Sequence, residues 1–219
     1  LSAQEKALYN IVLQKGRNVL DEFKNKTNSS FAVVLEAFPR LRQLCIAPYL
    51  LTPQSKARMT SKDKERLESG QILGGQLPEI EERIRSPEGW TGYNSSKLLK
   101  LQEIVNRFPG EKIIIFSEWS TAAQLVTDML NQKYGAGCAV MVDQGTKDRS
   151  QAVNEFKKNP QLRFLVATAV LAQGFTLIES RCAIILSSSW TDTFPRQASA
   201  RIYRVGQTKE VFIYKMVVN

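Results

Sequence analysis

Two rhythms of apolar and polar positions divide the chain. Near its start, Leu1, Leu8, Ile11, Val12 and Val19 recur at helical spacing. Ser2 stands where an N-cap belongs and Glu5 follows three residues on, the pattern of a capping box. A second helix is expected from about Phe31 to Cys45, interrupted by Pro39, and Pro48 and Pro53 stop regular structure. Residues 1–51 thus form a helical lead-in. From Thr52 to Trp90 the string is charged and turn-rich, with weak periodicity in its middle. It predicts an exposed helical protrusion over 52–94, partly mobile, rather than core.

From Ser95 helices alternate with short apolar runs, the pattern of a parallel sheet covered by helices. SSKLLKLQEIVNRF places Leu98, Leu101, Ile104, Val105 and Phe108 on one helical face, and Pro109-Gly110 ends it. Lys112 to Phe116 reads as a fully buried strand. The cycle repeats as a helix over Thr121–Gln132, a strand over Cys138–Val142, a helix over Asp148–Lys157 and a strand over Phe164–Thr168. A strand over Cys182–Leu186, a helix leading into Arg204 and a last strand near Val211–Met216 complete residues 95–219 as one α/β lobe.

Composition adds limits. The 219 residues, 43% of them hydrophobic, suffice for one large domain or a domain with an appendage. Leu1 comes first and nothing near it is ordered like a signal peptide, so the chain is expected to be a piece of a longer polypeptide. No apolar run is long enough to span a bilayer, and no membrane partner is expected. Cys45, Cys138 and Cys182 lie far apart, and no histidine is present to complete a zinc set. They read as buried thiols in a reducing compartment. Thirty basic residues against twenty-one acidic ones give +9, which favours a polyanion through counterion release without identifying it.

The sharpest chemical signal is QASARIYRVGQ. Arg201 and Arg204 are three apart, so on a helix their guanidinium groups leave from one face, with helix-ending Gly206 just beyond. Two fixed positive forks suit the developing charge of a phosphoryl group in flight, a role worth roughly a thousandfold to a hundred-thousandfold in rate. The plainer alternative is a pair of solvated arginines on an amphipathic helix.

QASARIYRVGQTKEVFIYKMV resembles the last helicase motif of the switch/sucrose-nonfermentable (Swi/Snf-type) ATPases, superfamily-two DNA translocases of chromatin remodelling and repair. SSKLLKLQEIV is similar to that family's lead-in helix, and KIIIFSEW to the first strand of its second lobe. DQGTKDRSQAVNEF resembles its Asp-Gly-Ser-Thr turn, and LVATAVLAQGFTLIESRCAIILSSSW its strand, glycine loop, strand and tryptophan. LSAQEKALYNIVL and LRQLCIAPYLL resemble the linker helix and the start of lobe two. The likeness covers most of residues 1–51 and 95–219.

The resemblance implies a RecA-like C-terminal lobe of a DNA-dependent ATPase. Arg201 and Arg204 would be arginine fingers reaching ATP on another lobe, oriented by Gln197, and Gly174 would let backbone approach the nucleotide. Thr168, Ser117 and Trp190 would stand at the DNA backbone, fixing register without reading sequence. ATP and Mg2+ would be held mainly by an N-terminal RecA-like lobe, since no GxxxxGK[ST] occurs in these 219 residues and they are expected to be inactive alone. Duplex DNA, possible nucleosome substrates and a protein partner on residues 52–90 complete the implied associations. The location implied is the nucleus, or the cytoplasm for a viral or prokaryotic source. Lys147 and Arg149 are further basic positions at a helix start, where an exposed cation is unremarkable.

The chain also departs from the family pattern. Ala169-Val170-Leu171-Ala172-Gln173 is bulkier than the usual glycine-bearing run, Thr176 stands for an asparagine, serines precede Trp190, and Thr191-Asp192 replaces Asn-Pro. The Asp143 turn is shorter and Ala47 replaces a common histidine. These leave a second reading open, a degenerate non-catalytic lobe serving as a DNA- or protein-interaction module. A third, an RNA helicase lobe, fits Arg-x-Gly-Gln and the leading helix less well.

Overall fold

The computed structural model describes residues 1–25, 31–51, 94–168, 171, 174–187 and 193–218. The protrusion expected over 52–94 lies outside these except for its last residue, as does Trp190. The chain divides into two compact units, Leu1–Leu98 with Val218–Asn219, and Leu99–Val217.

In the first unit, α1 (Ala3–Lys24) begins with the expected capping box: the Glu5 N–H donates to Ser2 Oγ at 3.2 Å and the Ser2 N–H to Glu5 Oε2 at 2.6 Å. Leu8 and Val12, one turn apart, are buried. Helix α2 (Phe31–Leu44) runs through Pro39 without a break, contrary to the expected interruption. A proline removes one intrahelical hydrogen bond, but Leu41, Leu44 and Ile46 just beyond it are buried, and their packing outweighs that local loss. A single 3-10 turn, Pro48–Leu51, follows. Helix α3 (Ser96–Asn106) starts at Ser95, whose Oγ accepts from Leu98 N at 3.2 Å and donates to Ile46 O at 2.7 Å.

The second unit is built on five parallel strands, β1 (Ile113–Phe116), β2 (Ala139–Val142), β3 (Phe164–Ala167), β4 (Cys182–Ile185) and β5 (Phe212–Lys215), in the order β2-β3-β1-β4-β5. The central three are buried at every position, as parallel strands covered on both faces must be. Each lies within a residue or two of its expected range. In register, Phe116 sits beside both Ala167 and Ile185, so all five strands end along one sheet edge.

Alternate residues choose opposite faces. Ile114, Phe116, Leu165 and Ala167 join one core with Val153 and Phe156 of α5 (Arg149–Lys158) and Ala198 and Ile202 of α6 (Thr193–Ile202). Helix α4 (Ser120–Tyr134) buries Ala122, Val126 and Leu130 and packs on β2 and β3; its Tyr134 ring lies 5.5 Å from that of Phe164, on the other face. This is the expected RecA-like α/β lobe.

Two polar devices fasten the sheet's opposite edge. The Lys112 ammonium, partly buried, donates to the carbonyls of Phe156, Asn159 (2.8 Å) and Leu162 (3.0 Å), closing the C-terminal end of α5. Burial lowers its pKa. Arg181 makes a two-pronged pair with Glu111, 2.6 Å on each prong, its guanidinium 5.4 Å from both the Phe108 and the Phe212 ring, which pack on each other. Arg181 holds the Glu111 carboxyl below the usual carboxylate range.

Candidate functional site at the carboxyl edge of the sheet

In open parallel sheets ligands sit beyond the carboxyl ends of the strands, because there the connecting loops diverge and leave backbone groups unpaired. Here that edge carries Ser117 after β1, Asp143 after β2, Thr168 after β3 and Ser187 just past β4. Ser117 N donates to Ala167 O at 2.9 Å and Thr168 N to Val142 O at 3.1 Å, so the sheet ladder sets their backbones.

Their side chains differ. Ser117 is fully buried, and its Oγ donates to Trp119 O at 3.1 Å and accepts from Trp119 N at 3.3 Å. In this arrangement the hydroxyl shapes the turn into α4 and presents nothing to a phosphate. Ser187 extends the same turn, its Oγ accepting from Glu118 N at 3.1 Å. Thr168 is 6% exposed, and its Oγ1 has no hydrogen-bond partner among the described residues. A buried hydroxyl left so is costly unless something completes it.

The arginine segment departs from the expected geometry. Helix α6 ends at Ile202, so Arg201 belongs to its last turn while Arg204 lies in the bend beyond. The two guanidinium groups do not leave from one regular helical face. The reason lies in Gly206 and Gln207. Gly206 adopts φ +100°, which L side chains resist, and Gln207 folds back: its Nε2 donates to Ile178 O at 3.1 Å and Ser180 O at 3.0 Å, while its N–H donates to Arg204 O at 3.0 Å. Continuing the helix would break this clamp.

The clamp joins the arginine turn to the loop after β3. Leu177 N donates to Arg201 O at 2.9 Å, and Arg204 Nη1 donates to Thr176 Oγ1 at 2.9 Å. Arg201 is half-buried and Arg204 exposed. Gln197, half-buried, lies one turn before Arg201 on α6, at the i, i+4 spacing that puts both on one face. Gly174 is exposed at φ +94°, with open space where a Cβ would stand, so its backbone conformation requires glycine in this lobe. The bulky loop residue Leu171 is fully buried in the core.

The Asp143 turn is self-contained. Asp143 Oδ1 accepts from Gly145 N at 2.9 Å, and Arg149 directs Nε and Nη2 onto the carbonyls of Asp143 (3.2 Å) and Gln144 (3.1 Å). Arg149 is therefore a local strut, and Lys147 stays exposed. The cysteines are free; Cys138 and Cys182 are buried, whereas Cys45 is only half-buried. Burial pushes the Cys182 thiol up to about 12. Among the described residues no three acidic or cysteine side chains converge as a metal would require, and no helix is long and apolar enough to cross a membrane.

Sequence reading missed Gln207 and Thr176 as site-builders. Gln207 was in view as the end of Arg-x-Gly-Gln; its partners, 27 and 29 residues away, were not.

Comparison with known proteins agrees with this fold. The family model described as "Helicase conserved C-terminal domain" matches residues 96–206, just over half of the chain. The chain therefore belongs to the helicase conserved C-terminal domain family. It is 29% identical to the putative helicase 172L of Invertebrate iridescent virus 6, over all of this chain and 40% of that protein. Other matching relatives bear names of chromatin-remodelling and DNA-repair proteins. The C-terminal part of the Fun30 ATPase domain superposes with a TM-score of 0.71 at 20% identity, covering 98% of this chain and 80% of that one. The Sulfolobus solfataricus SWI2/SNF2 ATPase core in complex with dsDNA gives 0.61 at 19%, covering 99% and 38%. The chain spans less than half the length of the curated relatives it matches first.

Proposed function

We propose that this chain is the second motor lobe of an ATP-dependent duplex DNA translocase of the remodelling and repair type. The observation that carries the reading is the arginine turn: an exposed Arg204 and a half-buried Arg201, fastened through backbone and side chain to the loop that follows Thr168 at the carboxyl edge. In this reading an N-terminal RecA-like lobe supplies the phosphate-binding loop and Mg2+. Water attacks the γ-phosphorus of ATP, the bond to the bridging oxygen breaks, and the charge on the transferring group is held by Arg201 and Arg204. Gln197 orients Arg201, and Gly174 lets the loop turn toward the nucleotide.

Thr168, whose buried Oγ1 has no hydrogen-bond partner among the described residues, is assigned to the DNA backbone, and Trp190 to the same groove. Ser117 acts there through its turn rather than its hydroxyl. Lobe closure then couples hydrolysis to a step along DNA, because two lobes grip one duplex. Nucleosomes are the natural substrate for a remodelling member, residues 52–90 the place for a protein partner, and the nucleus the location, or the cytoplasm if the source is viral or prokaryotic.

The test is DNA-stimulated ATPase activity of the full-length protein. Arg201→Ala with Arg204→Ala is expected to lower kcat by at least about a thousandfold while leaving the fold intact. The second reading, a non-catalytic interaction module, is favoured by one observation: Leu171, in a run that the resembled family fills with smaller residues, is fully buried in the core. A wild-type protein with DNA affinity but no ATPase would establish that reading instead. Stronger stimulation by RNA than by duplex DNA would point to an RNA helicase.

A further inference from the structure

Arg204 lies beyond the end of α6, so no helical backbone fixes the direction of its long side chain, and its residue is exposed. Among the described residues one contact orients it, the 2.9 Å hydrogen bond from Nη1 to Thr176 Oγ1. The hydroxyl itself is held in place. Thr176 precedes Leu177, whose N–H is bonded to Arg201 O and whose side chain is fully buried, and the loop is pinned again where Gln207 grips Ile178 and Ser180.

We propose that Thr176 is a positioning residue for Arg204, holding the guanidinium toward the nucleotide from the loop that follows β3. The inference rests on the reading that Arg204 serves ATP hydrolysis, and assigns a role to a residue at which this chain departs from its family. The chemistry suits the task. A guanidinium carries five N–H donors in a rigid plane, so one bond to a neutral hydroxyl restrains where the group sits and leaves the rest for phosphate oxygens. A carboxylate at position 176 would hold the arginine as well but would neutralise the charge the transition state needs. Because Thr176 sits in the loop joined to Thr168, movement of that loop would also move Arg204.

The experiment is a double-mutant cycle in the full-length protein, read as steady-state ATPase with saturating duplex DNA. Thr176→Val, nearly isosteric without the hydroxyl, is expected to lower kcat about fivefold with little change in KM for ATP, and Thr176→Ser to restore it. In an Arg204→Ala background Thr176→Val is expected to have no further effect. An equal loss in both backgrounds would reveal a general folding defect and overturn the inference; so would a Ser variant as impaired as Val, or a Val variant at wild-type rate while Arg204→Ala is impaired. If Arg204→Ala alone leaves the rate unchanged, the finger assignment itself fails, an outcome distinct from the others.

Discussion

Gly174 and Gly206 flank the arginine turn, one in each partner segment, and hold left-handed backbone in different surroundings. Around Gly174, at φ +94°, the space for a Cβ is open; at Gly206, φ +100°, a Cβ would meet Ile178 Cδ1 at 3.3 Å. Alanine at either site incurs backbone strain of about 1–2 kcal/mol. Gly206→Ala must also push Ile178, whose carbonyl the Gln207 amide grips. Denaturant unfolding is expected to show both variants destabilised, while ATPase falls further in Gly206→Ala, because only that change disturbs the clamp. Arg-x-Gly-Gln was legible in the sequence as a unit because its residues are adjacent. The Thr176–Arg204 contact was not, being made across 28 residues. Ser117 was legible as a hydroxyl at a strand end, but sequence carries no sign of which way a hydroxyl turns.

Helices α1 and α3 share a terminal device. The buried Glu5 carboxylate accepts from Ser2 N at 2.6 Å, Ser96 N at 2.9 Å and Ser96 Oγ at 2.5 Å, so one negative group serves the amino ends of both helices, where their dipoles favour it. Burial raises its pKa, but the hydrogen bonds from Ser96 and Ser2 together outweigh that and leave it lowered. A depressed carboxyl pKa means stability that is present above the unfolded value near 4.5 and is lost as pH falls through the folded one. Glu5→Gln is therefore expected to lose about 1–2 kcal/mol at neutral pH and to flatten the acid limb of the stability curve, measured by urea unfolding across pH 3–7. The capping box was readable because Ser2 and Glu5 are local. Capture of a second helix 91 residues away could not be. Pro39 misled for the converse reason, since a local penalty is visible in sequence and the packing that overrides it is not.

At the scale of the whole molecule, the apolar runs announced five strands and their helices, but not their order. Runs buried on both faces look alike, and the sequence does not say that β1 lies between β3 and β4. Charge is legible only in bulk. The net +9 of these 219 residues and the proposed duplex partner together predict that affinity of the full-length protein for random-sequence duplex DNA falls linearly with salt on logarithmic axes, with little dependence on base sequence. Fluorescence anisotropy at several salt concentrations checks this, and a salt-insensitive affinity would refute it. Lys112, just before the central strand, has a consequence of a different kind. With each ammonium hydrogen directed at a main-chain oxygen of Phe156, Asn159 or Leu162, the nitrogen has no lone pair to offer an acyl donor. Acetylation of that lysine must wait until the helix end it caps has come apart, so a modified Lys112 would mark molecules that had already opened there.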